Sequence, residues 1–203
     1  MKVIILNGSP KAKGNTATAL REVEKTLNQQ GIETDWIHVG HRDIRGCIAC
    51  NGCWKSGRCA FDDIVNEISA KMKDADGLLV GSPVYFASPN GTLLALLDRL
   101  FYSNLHSDWT MKVGASVSIA RRAGTTATLD QLNKYFSISQ MPIVSSRYWN
   151  MVHGANLDEV RQDFVLNKIA GGQVFITCCD GRQVSDRIGG KLIFVDDGRI
   201  VEE

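Results

Sequence analysis

An excess of charge of either sign is missing from this sequence: 23 Lys and Arg stand against 22 Asp and Glu, for a formal net charge of +1. Without a basic surplus there is no electrostatic footprint for nucleic acid, and without an acidic one no solvating tail. Long apolar runs are missing too, none reaching the roughly 20 residues that a membrane-spanning helix needs. The apolar opening stretch stops at Gly8-Ser9-Pro10 with no small-residue cleavage site, and so reads as a first strand rather than an export signal. The expected location is the cytoplasm, with neither membrane nor nucleic acid as partner. Internal repeats and low-complexity linkers are absent. The four histidines, His38, His41, His106 and His153, show no ligand spacing, and none is assigned to catalysis.

What is present is enough apolar material for one core, or one core and a small appendage: 203 residues, 44% hydrophobic. Val3 to Leu6 is a continuous β-branched run, as in a strand buried on both faces. Further strands are expected over Thr34 to Val39, Gly77 to Val80, Val113 to Ile119 and, as a short fifth, Pro142 to Val144. Between them lie helical patterns. Thr16 to Gln29 carries Ala17, Leu20, Val23 and Leu27 on one side, and a segment capped by Asp62 or Asp63 carries Ile64, Val65, Ile68 and Met72. Thr92 to Leu105 and Thr125 to Phe136 complete the set. Strands alternating with helices predict an α/β fold, a doubly wound five-stranded parallel sheet with helices on both faces. Ligands of such sheets bind beyond the carboxyl ends of the strands, so function is expected in the loops after strands one, three and four.

The first of these loops, Gly8 to Thr16, joins a buried strand to a helix start, where free backbone N–H groups favour an anion. Ser9, Asn15 and Thr16 add short polar side chains, and Lys11 and Lys13 add charge. It is neither a Walker A loop, since Asn15 follows Gly14 where Lys is required, nor a G-x-G-x-x-G turn. An ordinary capped βα turn is the competing reading.

The loop resembles the phosphate loop of the flavodoxin-like NADPH-dependent FMN reductases, matching at Gly8, Ser9, Pro10, Lys11, Gly14, Asn15 and Thr16. Ser82-Pro83-Val84-Tyr85-Phe86 and Ser118-Ile119-Ala120-Arg121-Arg122-Ala123-Gly124 match the family's two further flavin loops in order. Arg147 to Gly154 is similar to a stretch near the end of its members, and Asp98-Arg99 matches as well, read as a structural, exposed ion pair worth little. Taken alone, Tyr85 and Phe86 read as core filling and Arg121-Arg122 as a solvated turn. The resemblance implies that residues 1–156 form an FMN-binding domain. Ser9, Lys11, Gly14, Asn15 and Thr16 would hold the phosphate; Pro83, Val84, Tyr85, Phe86, Ala120, Arg121 and Gly124 would line the ring. Arg121 or Arg122 would favour an anionic reduced flavin.

Cysteines cluster in the loop 46–60, as Cys47-x-x-Cys50-x-x-Cys53-x5-Cys59. Cytoplasmic thiols stay reduced, so six cysteines point to metal or redox chemistry before disulfides. Four thiolates in so short a loop can close on one metal centre, and compact thiolate sets suit iron–sulfur clusters. A four-cysteine zinc site and a metal-free loop are the rivals. The spacing resembles the motif of the iron–sulfur flavoproteins, a branch of the same family with a [4Fe–4S] cluster there. That implies Cys47, Cys50, Cys53 and Cys59 as ligands and electron exchange between cluster and FMN, often in a homodimer or homotetramer. It also implies NAD(P)H or a ferredoxin-like protein as donor, with no acid–base residue required. An NAD(P)H-dependent FMN or quinone reductase without cluster is the alternative, and a non-enzymatic module with a partner-binding tail a third.

Residues 157–203 are expected to form a C-terminal extension. Leu157 to Ile169 supplies a helix, Gln173 to Thr177 a strand ending in Cys178-Cys179, and Lys191 to Val201 a hairpin turning at Asp197-Gly198. Leu157-Asp158, Arg161 to Asn167 and Gly172 to Thr177 look like the last segment of the repair ATPase RecF, whose nucleotide-binding motifs are absent here. A lineage-specific extension is the other reading.

Overall fold

The computed structural model describes residues 1–105, 107, 109–146, 148–164, 194–196 and 199–201. Five parallel strands form one sheet in the order β2-β1-β3-β4-β5: β1 Lys2–Asn7, β2 Glu33–His38, β3 Gly77–Pro83, β4 Val113–Ala120 and β5 Met151–His153. Side-chain alternation divides the core between the two faces. Ile4, Leu6, Leu78 and Val80 pack with helices α3 (Ile64–Asp74), α4 (Gly91–Ser103) and α5 (Thr125–Ile138) through Ile68, Met72, Leu96, Leu100, Leu132 and Phe136. Ile5, Leu79, Val117, Ile119 and Val152 pack with α1 (Asn15–Gln29) and α6 (Leu157–Phe164) through Ala19, Leu20 and Val160. Apolar residues at helical spacing thus set the layers, and the β-branched strands fill between them.

Packing leaves Gly114 no room for a side chain: a Cβ there would lie 2.5 Å from Phe136 Cγ, itself buried. Gly114→Ala is therefore expected to destabilise the fold by about 1–3 kcal/mol through overpacking, read as a lower urea midpoint at an unchanged m-value.

The fifth strand departs from expectation. Pro142 to Val144 makes a single parallel bridge, Ile143 to Gly114. The Gly114 N–H donates to Pro142 O at 2.8 Å and Val144 N–H to Gly114 O at 2.8 Å. Pro142 has no N–H to extend the ladder. The chain then leaves the sheet edge, with Asn150 donating to Val144 O and accepting from Ser146 N–H. It returns to pair Met151–His153 with Ser118–Ala120. The edge position is as expected, but its ladder sits against the end of β4.

At the cysteine loop a short helix, α2 (Cys53–Ser56), ends on Gly57 at φ 67°. In the C-terminal region α6 begins the helix expected over 157–169. Strands β6 (Phe194–Asp196) and β7 (Arg199–Val201) pair antiparallel within the expected hairpin. The expected strand Gln173 to Thr177, Cys178, Cys179 and the turn Asp197-Gly198 lie outside the described residues. Among the described residues no helix is long and apolar enough to cross a membrane.

Candidate functional site

The carboxyl ends of β1, β3, β4 and β5 open on one cleft of about 500 Å³, within the usual range for a small-molecule site. Its floor is the loop between β1 and α1. Asn7 Oδ1 accepts from Ser9 N–H at 3.0 Å, and Ser9 Oγ accepts from Lys11 N–H at 3.2 Å, which folds the loop over the strand end. Gly14 is the N-cap of α1 and provides no side-chain capping bond; the first turn holds no acidic residue. A helix start so arranged keeps its N–H groups and its positive dipole end available to an anion. Asn15 Nδ2 donates to Gly154 O at 3.1 Å and ties this floor to the segment after β5.

Of the residues expected from sequence, Ser9, Lys11, Gly14, Asn15, Thr16, Pro83, Val84, Tyr85, Ala120 and Arg121 all line this cleft. Phe86 and Gly124 are not among its lining residues. Phe86 is fully exposed, at φ 50°, with Ala87 at φ 59°. Tyr85 and Ser88 exchange backbone hydrogen bonds across that turn. Gly124, at φ 102°, lies behind the wall, where a Cβ would sit 3.0 Å from both Val84 Cγ1 and Ala87 Cα. It serves the cleft by letting the loop after β4 pack on the loop after β3. The core-filling reading of Tyr85 and Phe86 fails, because both are exposed.

The cleft is also lined by Lys13, expected to add charge to the first loop, by Pro10 and Ile119, which lie in matched loops but were given no role, and by Gly154 to Leu157, which were not expected in the site. The last group follows β5 directly. Placing the fifth strand at Met151–His153 would have brought it under the strand-end rule that found the other loops. His38 was also missed. Its Nε2 lies 2.7 Å from Ser9 O, and its ring stacks on His41 at 4.2 Å, so a β2 side chain braces the first loop. Val39 and Gly40 N–H groups both donate to Asn7 O beneath the same loop.

A second pocket gathers the cysteines. Cys47, Cys50, Cys53 and Cys59 line it together with Phe61 and, from α4, Arg99 and Tyr102. Ala49 and Asn51 adopt positive φ, 51° and 55°, where the loop doubles back between cysteines, a conformation that non-glycine residues rarely hold without support. Tyr102 gives that support by donating to Asn51 Oδ1 at 2.9 Å. Cys47 and Cys50 are exposed, whereas Cys53 is buried on α2. Burial pushes the Cys53 thiol above its ordinary pKa, with the three neighbouring cysteines adding to the shift. Cys59 is pinned by Asn66, which accepts from its N–H and donates to its carbonyl. Among the described residues no three His, Cys, Asp or Glu converge closely enough to hold a single metal ion.

Arg99 overturns the reading of Asp98-Arg99 as an exposed pair. Its residue is 1% exposed, and its partner is Asp63, met at 2.7 and 2.9 Å by Nη1 and Nη2. Its Nε–H donates to Cys59 Sγ at 3.3 Å, and its remaining N–H groups reach Arg45 O and Phe61 O. Asp98 instead accepts from Tyr135, whose phenol burial and that bond hold well above its ordinary pKa.

Residues 1–156 match the family model for NADPH-dependent FMN reductase. An iron-sulfur flavoprotein of Methanocaldococcus jannaschii is 38% identical over 146 residues, covering 71% of this chain and 76% of that protein. An iron-sulfur flavoprotein of Methanosarcina thermophila is 30% identical over 147 residues, covering 71% and 77%. Among solved structures, a flavodoxin from the domain Archaea superposes with a TM-score of 0.53 at 14% identity, over 82% of this chain and 93% of that one; at that identity the likeness concerns the fold. The chain therefore belongs to the NADPH-dependent FMN reductase family, in its iron–sulfur flavoprotein branch, and is an FMN-binding oxidoreductase of flavodoxin-like α/β fold.

Proposed function

We propose that this protein moves electrons between FMN held in the strand-end cleft and a [4Fe–4S] cluster held by Cys47, Cys50, Cys53 and Cys59, with NAD(P)H or a ferredoxin-like protein as donor. The observation that carries the reading is the coexistence, in one domain, of an anion-ready cleft and a pocket lined by all four cysteines. The fit to a cluster follows from its chemistry. All four thiolates come from one short loop and line one pocket, whereas zinc sites more often draw their cysteines from two separated Cys-x-x-Cys pairs. A cluster gives each thiolate its own iron and so sets its ligands wider apart around a shared pocket. Two curated relatives carry the iron-sulfur flavoprotein name, which supports the same assignment.

In this reading Ser9, Lys11, Gly14, Asn15 and Thr16 hold the FMN phosphate at the start of α1. Pro83, Val84, Tyr85 and Ala120 flank the ring, with Phe86 reaching it from the rim and Gly124 keeping the two loops in contact. Arg121 adds positive charge to the cleft, which favours negative charge on whatever binds there. Bound flavin supplies the electron chemistry, and the protein supplies position and potential. The flavin domain spans 1–156 and the remainder is a C-terminal extension. A homodimer or homotetramer in the cytoplasm is part of the proposal, supported by the exposed Tyr85 and Phe86 at the cleft rim.

Two variants separate the centres. Cys50→Ala is expected to keep FMN at wild-type occupancy and to lose the iron; iron retained at the wild-type level contradicts the ligand assignment. Asn15→Ala removes both a phosphate donor and the tie to Gly154. It should weaken FMN binding by about tenfold, the worth of roughly one hydrogen bond, with iron content unchanged. An unaltered dissociation constant in a fluorescence titration would remove Asn15 from the site.

A further inference from the structure

Arg99 occupies a position that a purely structural ion pair does not need. Its guanidinium carries five N–H donors, and every one has an acceptor: two on Asp63, one on Arg45 O, one on Phe61 O and one on Cys59 Sγ. Phe61 also lies under it, 4.9 Å from guanidinium carbon to ring centroid. The side chain is wholly buried, whereas Asp63 keeps one-third exposure. Asp63 is fixed in turn as the N-cap of α3, accepting from Val65 N–H at 3.1 Å. The guanidinium therefore cannot swing away, and its Nε–H is held on one sulfur of the four.

The four cysteines are consequently unequal. Cys47 and Cys50 sit on an exposed loop. Cys59 is anchored to the core at its backbone by Asn66 and at its sulfur by Arg99. A permanent cation in a dry setting, in contact with one ligand sulfur, stabilises whichever oxidation state carries more negative charge. Hydrogen bonds to the sulfurs and net charge are the levers by which a protein sets the potential of an iron–sulfur centre.

Resting on the cluster assignment above, we infer that Arg99 is a positioning residue that acts through Cys59: it preorganises this ligand and raises the reduction potential of the iron centre. Asp63 holds Arg99 in place through Nη1 and Nη2 and offsets its charge at longer range, while the Nε–H hydrogen bond on Cys59 remains.

The test uses the anaerobically purified full chain and three proteins: wild type, Arg99→Lys, and the double variant Arg99→Met with Asp63→Asn. The double variant removes both charges of the pair together with the Nε–H on Cys59, leaves neither charge buried alone, and keeps a capping side chain at position 63. Iron, sulfide and FMN are quantified, and the midpoint potentials of the iron centre and the flavin are measured separately. The double variant is expected to retain iron and to show an iron-centre equilibrium shifted at least tenfold toward the oxidised state, which is 59 mV for one electron, with the FMN potential unmoved. Arg99→Lys keeps a charge but loses the fixed Nε–H, and should fall between. An unchanged iron-centre potential with full iron overturns the inference, as does an equal shift at both centres. Loss of iron from both variants while FMN stays bound overturns it too, leaving Arg99 a residue of structure alone. Wild-type protein without iron would instead defeat the cluster assignment on which the inference rests.

Discussion

Arg99→Ala alone is expected to cost about 3–5 kcal/mol of stability, the range for removing one partner of a buried ion pair. The loss is not the value of the Asp63 contact by itself. The substitution also strands Arg45 O, Phe61 O and the Asp63 carboxylate, which accept from the guanidinium. It leaves a cavity under α4 between the cysteine loop and the start of α3. Burial alone would pull the Arg99 pKa down, but the hydrogen bonds it donates to Asp63 and Cys59 more than offset it, and the group stays charged at any working pH. Small domains hold only about 5–15 kcal/mol in all, so this single change removes a large share. Urea unfolding followed by circular dichroism reads it directly. A loss under about 1 kcal/mol would place Arg99 among ordinary surface pairs, contrary to the geometry.

Gly40→Ala should strike the proposed flavin cleft while leaving most of the core untouched. A Cβ at position 40 would lie 2.2 Å from Gly8 O and 2.3 Å from the Ser9 carbonyl carbon. Both neighbours are backbone, so no side chain can turn aside, and the loop proposed to hold the phosphate must lift off the sheet. That loop is held down by Gly8 N–H on Gly81 O at 2.8 Å and by His38 on Ser9 O. If the loop holds the FMN phosphate as proposed, lifting it misaligns at least two charge-assisted hydrogen bonds, each worth about 1.5–3 kcal/mol. FMN affinity should therefore fall by about 10²- to 10⁴-fold, whereas riboflavin, which lacks the phosphate, should lose far less. Equal losses for the two ligands in a fluorescence titration would mean that the loop does not hold the phosphate.

Much of this was legible in the sequence, and the reasons are physical. Val3 to Leu6 and Gly77 to Val80 are apolar without interruption because both faces of a central strand are covered. The Gly8 to Thr16 loop stands out because a strand end, glycines and small polar residues must coincide there. The misplaced fifth strand has a local cause. Pro142 to Val144 has edge-strand character and does touch Gly114, while Met151–His153 is only three residues long and gains its ladder from β4. Propensity cannot separate two short segments competing for one edge. That error also hid Gly154 to Leu157 from the list of cleft residues. The partner of Arg99 and the bracing role of His38 were invisible for a different reason. Their partners lie 36 and 29 positions away, and neither helical nor strand periodicity encodes so distant a contact. Gly40 gives no signal in sequence, since its importance lies in the backbone that passes over it.

The most direct test of the two-centre account is the flavin, iron and acid-labile sulfide content of the anaerobically purified protein, recorded with its visible spectrum. The account predicts one FMN with four irons and four sulfides per chain, and absorption beyond that of flavin alone. FMN at full occupancy with no iron would contradict it, leaving a flavin reductase whose cysteine loop carries no cluster.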